Sequence, residues 1–374
     1  MTGNSSNNSE VPLNFNHLRT LEQPSWIGGT CVYSPDGRFI ASACKNSVYL
    51  WDSTSGQLLH ILEGHTHFVN DCAISPDNQL LASASNDGSI RVWDTNTGHH
   101  LCTKQVYRMV EACAFYPDGN TIVSVDWENT IHKWDTTRDQ GYSGGMGIFE
   151  NRDSLLHFCA LSPDGKKIIY IRFYLGLQVW DFHTGEVLLE LEGKTREVSN
   201  CSFSPDGCMI QASGKEIWLW DAASGERIKG FEGHTGYIWG SEFSPDGRFL
   251  LSASEDKSLR AWEISTGRMV GMKSFPEPLK SLALHPWRPQ MVCANKNGHL
   301  DMVELGNINY GPLIIAAARE DHGFRGLCPV CQHRFQIREN QIGTETNCPQ
   351  EGCSTPLQIS SLVFEKKSNP GADF

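Results

Sequence analysis

The chain has 374 residues, a formal net charge of −12, 39% apolar and 20% charged residues. This composition excludes a disordered or fibrous chain, and the acidic balance argues against a protein built mainly to hold nucleic acid. No run of 18 apolar residues exists, so no membrane-spanning helix is expected. Residues 1–12 are polar and rich in Asn and Ser, with neither a basic nor an apolar stretch, and read as a disordered tail rather than a secretory leader. Thirteen cysteines, an odd count, do not suit a disulfide framework and are expected as reduced thiols in a cytoplasmic protein.

From the first strand onward the chain repeats itself. A turn recurs as Ser34-Pro35-Asp36-Gly37, Ser75-Pro76-Asp77-Asn78, Tyr116-Pro117-Asp118-Gly119, Ser162-Pro163-Asp164-Gly165, Ser204-Pro205-Asp206-Gly207 and Ser244-Pro245-Asp246-Gly247. A degenerate seventh copy is His285-Pro286-Trp287-Arg288. The steps are 41, 41, 46, 42, 40 and 41 residues. Pro presets φ, Asp bonds the local backbone and Gly accepts positive φ, so each copy is a hairpin turn. A Trp-Asp pair follows each turn at Trp51, Trp93, Trp134, Trp180 and Trp220, with Trp262-Glu263 in the sixth repeat and Val303-Glu304 in the seventh. Between the marks, runs such as Phe39-Ile40-Ala41-Ser42-Ala43 alternate with period two and predict short strands. Four strands in forty residues cannot bury both faces of a sheet, whereas stacking such sheets around an axis can. The expected fold is all-β, a β-propeller.

Over residues 14–304 this pattern closely resembles the WD-repeat family. The resemblance implies a seven-bladed ring in which His, Ser or Thr, Asp and Trp form a hydrogen-bonded tetrad in each blade. Two repeats carry the full set, His65, Ser83, Asp87, Trp93 and His234, Ser252, Asp256, Trp262. Repeat three has Glu128 at the Asp position and no His, repeat five has Lys194 for His, repeats one and four lack the Asp, and repeat seven has Asn297 and no Trp. The ring is expected over 13–305, with the segment at 16–22 completing the last blade; Leu313-Ile314-Ile315 is the alternative outer strand.

After a connector at 306–326, residues 327–365 contain Cys328-x2-Cys331-x16-Cys348-x4-Cys353. Four thiolates in two tight turns suit a closed, structural tetrahedral Zn²⁺ site, and the segment resembles a zinc ribbon. Residues 366–374 read as a tail. Residues 305–374 carry 6 basic and 7 acidic residues, which favours protein contact or plain docking over nucleic-acid binding.

The residues six before each turn proline include Glu111 and His157, a conceivable acid–base pair, but no convergent carboxylates and no phosphate-loop, GxSxG or HExxH motif. No enzyme is expected. The resemblance implies a protein–protein scaffold whose upper face meets its partner. Trp26, Phe68, Trp127, Phe173, Tyr174, Tyr237 and Trp239 fall at strand starts and turns on that face. Trp127, Tyr237 and Trp239 are the preferred contacts, Phe68 a further one, and Lys280, Arg108 and Arg196 a basic rim. Phe68, Phe173 and Trp26 would equally fill gaps in blades without a full tetrad. Two rival readings remain: a nucleic-acid-associated factor acting through the ribbon, and a small-ligand sensor or hydrolase using the central channel. A monomer is the default.

Overall fold

Each repeated turn is built by its own side chains. In the first, Ser34 Oγ donates to Asp36 Oδ1 at 2.6 Å, Phe39 N donates to Ser34 Oγ at 2.9 Å, and Gly37 takes φ 64°. A glycine is required there by conformation and by space, since a Cβ would lie 2.5 Å from the His285 ring. The computed structural model describes residues 13–24, 30–106, 108–128, 130–136, 159–172, 176–191, 193, 198–308, 310–320 and 323–365.

The turns join antiparallel strands into seven sheets among the described residues, six of four strands and one of three. The three-stranded sheet runs Val110–Phe115, Thr121–Asp126, Ile131–Asp135. The sheets stand in a closed ring, a β-propeller. The first strands of successive sheets touch, and the last of these, Leu279–Leu284, touches the first, Cys31–Tyr33. Asn14–Leu21 pairs with Leu300–Gly306 and so closes the last sheet with the start of the chain. Closure leaves every sheet face covered by a neighbour and removes the inner edges.

Polar side chains near the axis tie one sheet to the next. Thr30 Oγ1 donates to Asp71 Oδ1 at 2.6 Å, and Cys113 N to Asp71 Oδ2 at 3.0 Å, so one carboxylate bridges three repeats. Leu284 N donates to Glu242 Oε2 at 2.9 Å, Gln211 Nε2 to the Ser241 carbonyl at 3.1 Å, and Cys31 N to Ser281 Oγ at 3.1 Å. The side chains of Cys31, Cys72, Cys113, Cys201 and Cys293 are buried and fill the blades as small residues.

The C-terminal unit is larger than a two-hairpin ribbon. Leu313–Glu320 and Gly323–Leu327, inside the segment expected as a connector, are strands of its sheet. The strand order is Arg334–Ile337, Gly323–Leu327, Leu313–Glu320, Pro356–Glu365, Glu345–Asn347. Leu313–Glu320 therefore joins this sheet, parallel to Pro356–Glu365, and the alternative that put it in the last blade is corrected. Leu313, Ile315, Phe335, Ile337, Leu357 and Ile359 form its core.

This unit sits on the propeller. Asp246 spends Oδ1 on its own turn, accepting Ser244 Oγ at 2.6 Å, and offers Oδ2 to Gly311 N at 2.8 Å. Ile314 N donates to the Pro245 carbonyl at 3.2 Å, and Ser360 Oγ to the Asp206 carbonyl at 3.3 Å. Trp287, in the degenerate turn, packs against the unit's apolar core together with Tyr310. The docking face is thus the one bearing the proline turns of the last three repeats.

Candidate functional site

The two complete tetrads have the same geometry. His65 Nδ1 donates to Asp87 Oδ2 at 2.8 Å, Ser83 Oγ donates to His65 Nε2 at 2.8 Å, and Trp93 Nε1 donates to Ser83 Oγ at 2.9 Å. In the sixth repeat His234, Asp256, Ser252 and Trp262 repeat this at 2.8, 2.7 and 2.9 Å. Burial depresses both histidines below their usual range, so the rings are neutral at physiological pH. Burial would raise Asp256, but hydrogen bonds from Ser258, His234 and Thr235 outweigh it and bring it down to about 2.

Two departures from the tetrad are compensated by residues that the sequence pattern does not mark. In repeat one, Ser42 Oγ donates to Gln23 Oε1 at 2.7 Å, so Gln23 stands where a histidine would, and Trp51 Nε1 reaches Ser42 Oγ at 3.4 Å. In repeat three, Trp134 Nε1 donates to Ser124 Oγ at 2.9 Å, while His132 and Asp126 pair at 2.9 Å. Glu128 turns outward instead and pairs with Arg108.

The first strand of each sheet runs from the upper face to the Pro-Asp turn on the opposite face. Trp239 lies at the start of Ile238–Phe243, and the turn that holds Gly311 lies at its end. The upper aromatics therefore sit on the face away from the C-terminal unit. Trp239 is 38% exposed, and its ring lies 5.1 Å from the half-buried Tyr237 ring. The Lys280 ammonium lies 4.1 Å from the Trp239 ring centroid and donates to Glu255 Oε1 at 2.5 Å. The hydrogen bond from Lys280 holds Glu255 below the usual carboxylate range. Tyr237, Trp239 and Lys280 thus form one cluster.

Trp127 is 39% exposed at a turn tip in another sheet of the ring. It lines a pocket of about 310 Å³ with Asn86, Asp87, Gly88, Arg108, Met109 and Glu128. Phe68 is half-buried, its ring against His67 at 5.0 Å, and its carbonyl accepts Asn86 N at 2.9 Å beside this pocket. Arg196, Trp26, Phe173, Tyr174, Lys194 and His157 lie outside the described residues. Burial pushes half-buried Glu111 up to about 7, but its conceivable partner is thus not described.

The four C-terminal cysteines converge. Cys328 and Cys331 occupy the turn between Gly323–Leu327 and Arg334–Ile337, and Cys348 and Cys353 the turn between Glu345–Asn347 and Pro356–Glu365. Their sulfurs all lie within 4.8 Å of one another, with Cys328–Cys353 at 3.8 Å and Cys331–Cys348 at 3.5 Å. A tetrahedral metal with sulfur at ~2.3 Å has a sulfur–sulfur edge of roughly 3.8 Å, so the donor set fits a metal ion. The backbone shapes both turns through positive φ at Gln332, Gly352 and Ser354. Four protein donors leave no open coordination position, which suits a structural rather than a catalytic ion.

No helix among the described residues is long and apolar enough to cross a membrane. Over 269 residues the chain is 26% identical to autophagy-related protein 16 of Arabidopsis thaliana, an alignment covering 70% of this chain and 44% of that protein. The chain therefore spans less than half the length of that relative. The WD domain, G-beta repeat, matches residues 15–52, 56–94, 95–135, 185–221 and 225–263, together just over half of the 374 residues. The chain belongs to the WD-repeat family.

Proposed function

We propose that this chain is a non-catalytic scaffold that recognises a protein partner with its upper face. The observation that carries the reading is the pair of solvent-exposed tryptophans, Trp127 and Trp239, on the face left open by the C-terminal unit. Each stands beside an ion pair, Arg108–Glu128 and Lys280–Glu255, that braces the surrounding turn. Aromatic side chains and arginine are favoured anchors at interfaces. Trp127, Tyr237, Trp239 and Phe68 would make the apolar contacts, and Lys280, Arg108 and Arg196 the charged rim. The resemblance to autophagy-related protein 16 supports an assembly role over a catalytic one.

The four cysteines would hold one zinc ion, which would fix the two turns of the C-terminal sheet and supply folding energy to it. The ring would occupy 13–305 and the zinc unit would begin at its first strand, Leu313–Glu320. Cysteines without disulfides among the described residues of the ring suit a reducing compartment such as the cytoplasm.

The test is affinity capture from native extract, read by mass spectrometry, with the wild-type chain and a folded Trp127→Ala/Trp239→Ala variant. A stoichiometric protein captured only by the wild type is the expected result. Equal recovery with both baits would move recognition to another surface. Recovery of nucleic acid alone would replace the reading.

A further inference from the structure

We propose that the Tyr237–Trp239 cluster is a receptor for an acidic peptide segment. The peptide would place an apolar side chain on Trp239 and carboxylates on Lys280 and Lys296. This rests on the scaffold reading and names the class of partner. Lys280 lies against the aromatic pair, and two further lysines flank the loop that leads to it. Lys280 stacks its ammonium on Trp239. Lys257 Nζ donates to the Pro276 carbonyl at 2.8 Å, and Lys296 N to the Pro278 carbonyl at 2.8 Å. Both prolines lie in the loop leading to Lys280, so the three cations belong to one patch.

The patch is short of anions. Glu255 takes the Lys280 hydrogen bond, and the Lys296 charge also helps to hold it below the usual carboxylate range. Glu277 is the other acid of the loop, and Asp256 is committed to His234 and Arg260. Lysines thus outnumber the uncommitted acids in a chain whose net charge is −12. That local reversal of sign gives the surface its charge complementarity to carboxylates. The stacked ammonium keeps Lys280 extended over the ring, so a carboxylate arriving there meets a cation already in place. A nucleic acid would also bring anions and stacking bases. Its phosphate charge, one per nucleotide along the whole strand, would run beyond the patch onto the acidic body around it, whereas a short acidic segment need not.

The probe is a fluorescein-labelled heptapeptide with four glutamates around a central leucine, titrated by anisotropy at low salt into the whole chain. Its all-lysine counterpart and a ten-nucleotide oligouridylate serve as comparisons. Binding of the glutamate peptide, weakening with salt and at least tenfold on Lys280→Glu/Lys296→Glu, is the expected result. Trp239→Ala should weaken it and Trp127→Ala should not. Lys296→Glu alone, at an exposed turn, keeps the test valid if the double variant misfolds. The proposal falls if the glutamate peptide binds no better than the lysine peptide, or if the lysine-to-glutamate variants leave its affinity unchanged. Tighter oligouridylate binding lost in the same variants would assign the patch to nucleic acid. Indifference to the glutamate peptide, with a captured protein still lost on Trp239→Ala, would sink the acidic class and leave the scaffold reading standing.

Discussion

Asp246 and Gly311 meet across the boundary between the ring and the C-terminal unit, with the amide 2.8 Å from Oδ2. The same carboxylate shapes its own turn through Oδ1, so one side chain serves the repeat and the docking at once. The neighbouring seventh turn departs from the repeat where Asp would stand, and Trp287 there packs into the core of the docked unit. His285, whose ring lies 4.6 Å from Trp287 and 5.2 Å from Tyr33, continues this contact to the first repeat.

Replacing Trp287 with Asp would restore the aspartate of the repeated turn and remove the apolar contact. Losing a large half-buried side chain should weaken docking by about 2 kcal/mol. The expected outcome is faster proteolysis within 313–365 and faster exchange of the Gly311 amide, with the ring's thermal midpoint nearly unchanged. Full protection of Gly311 in the variant would show that the backbone bonds hold the unit alone.

The metal prediction separates the two units. Purified chain should contain about one zinc per molecule, because four thiolates close one tetrahedral site. Cys331→Ser should abolish this zinc, and the 313–365 sheet should lose protection from exchange. The β-sheet signal of the ring should persist. Collapse of the whole fold would mean that the C-terminal sheet is a required part of the ring.

What could be read from the sequence was local. The Pro-Asp-Gly turns carry their own hydrogen bonds, so their spacing alone marks the hairpins and the ring that follows. The cysteine spacing likewise reflects two short turns. Leu313-Ile314-Ile315 was legible as a candidate strand but its place was not, because it pairs in parallel with a segment over forty residues away and no turn joins them. Gln23 was missed for a related reason: its carbonyl oxygen takes the place of a histidine through position in space rather than through residue type. Trp287 looked like decay of the repeat, and only the docked sheet explains it. On the upper face, Trp127 and Trp239 are exposed, whereas Phe68 is half-buried, so chain position alone did not grade these aromatics.

The tetrads allow a graded prediction. Ser83→Ala removes the group that joins His65 to Trp93 and leaves two buried ring nitrogens without it. The expected cost is about 2–3 kcal/mol, and Ser252→Ala should cost about the same. Ser42→Ala should cost less, about 1–2 kcal/mol, since its tryptophan bond is long at 3.4 Å and the other group it leaves unpaired is the Gln23 amide oxygen rather than a histidine nitrogen. Thermal midpoints of the three variants measure the order. Equal losses would show that the Gln23 bond in the first repeat is worth as much as the histidine bond in the complete tetrads.

Glu242 gives the pH prediction. It is the half-buried carboxyl on the first strand of the sixth repeat, and Leu284 N of the seventh donates to it at 2.9 Å. Burial pushes it up to about 7, despite that hydrogen bond. A carboxyl raised on folding binds more protons in the folded chain than in the unfolded one between about pH 4.5 and 7. Stability therefore falls as pH rises through that window, and the penalty is complete above it. Glu242→Gln keeps a carbonyl oxygen for the Leu284 amide and carries no charge. At pH 8 the variant should be more stable than the wild type by about 1–2 kcal/mol, after allowance for the side chain's partial exposure. At pH 5 the two should differ little. Glu111, also raised to about 7, remains in both chains, so the difference between their thermal midpoints isolates Glu242. A constant difference from pH 5 to 8 would mean that the Glu242 carboxyl does not titrate there, and that its strand contact to Leu284 tolerates the charged form.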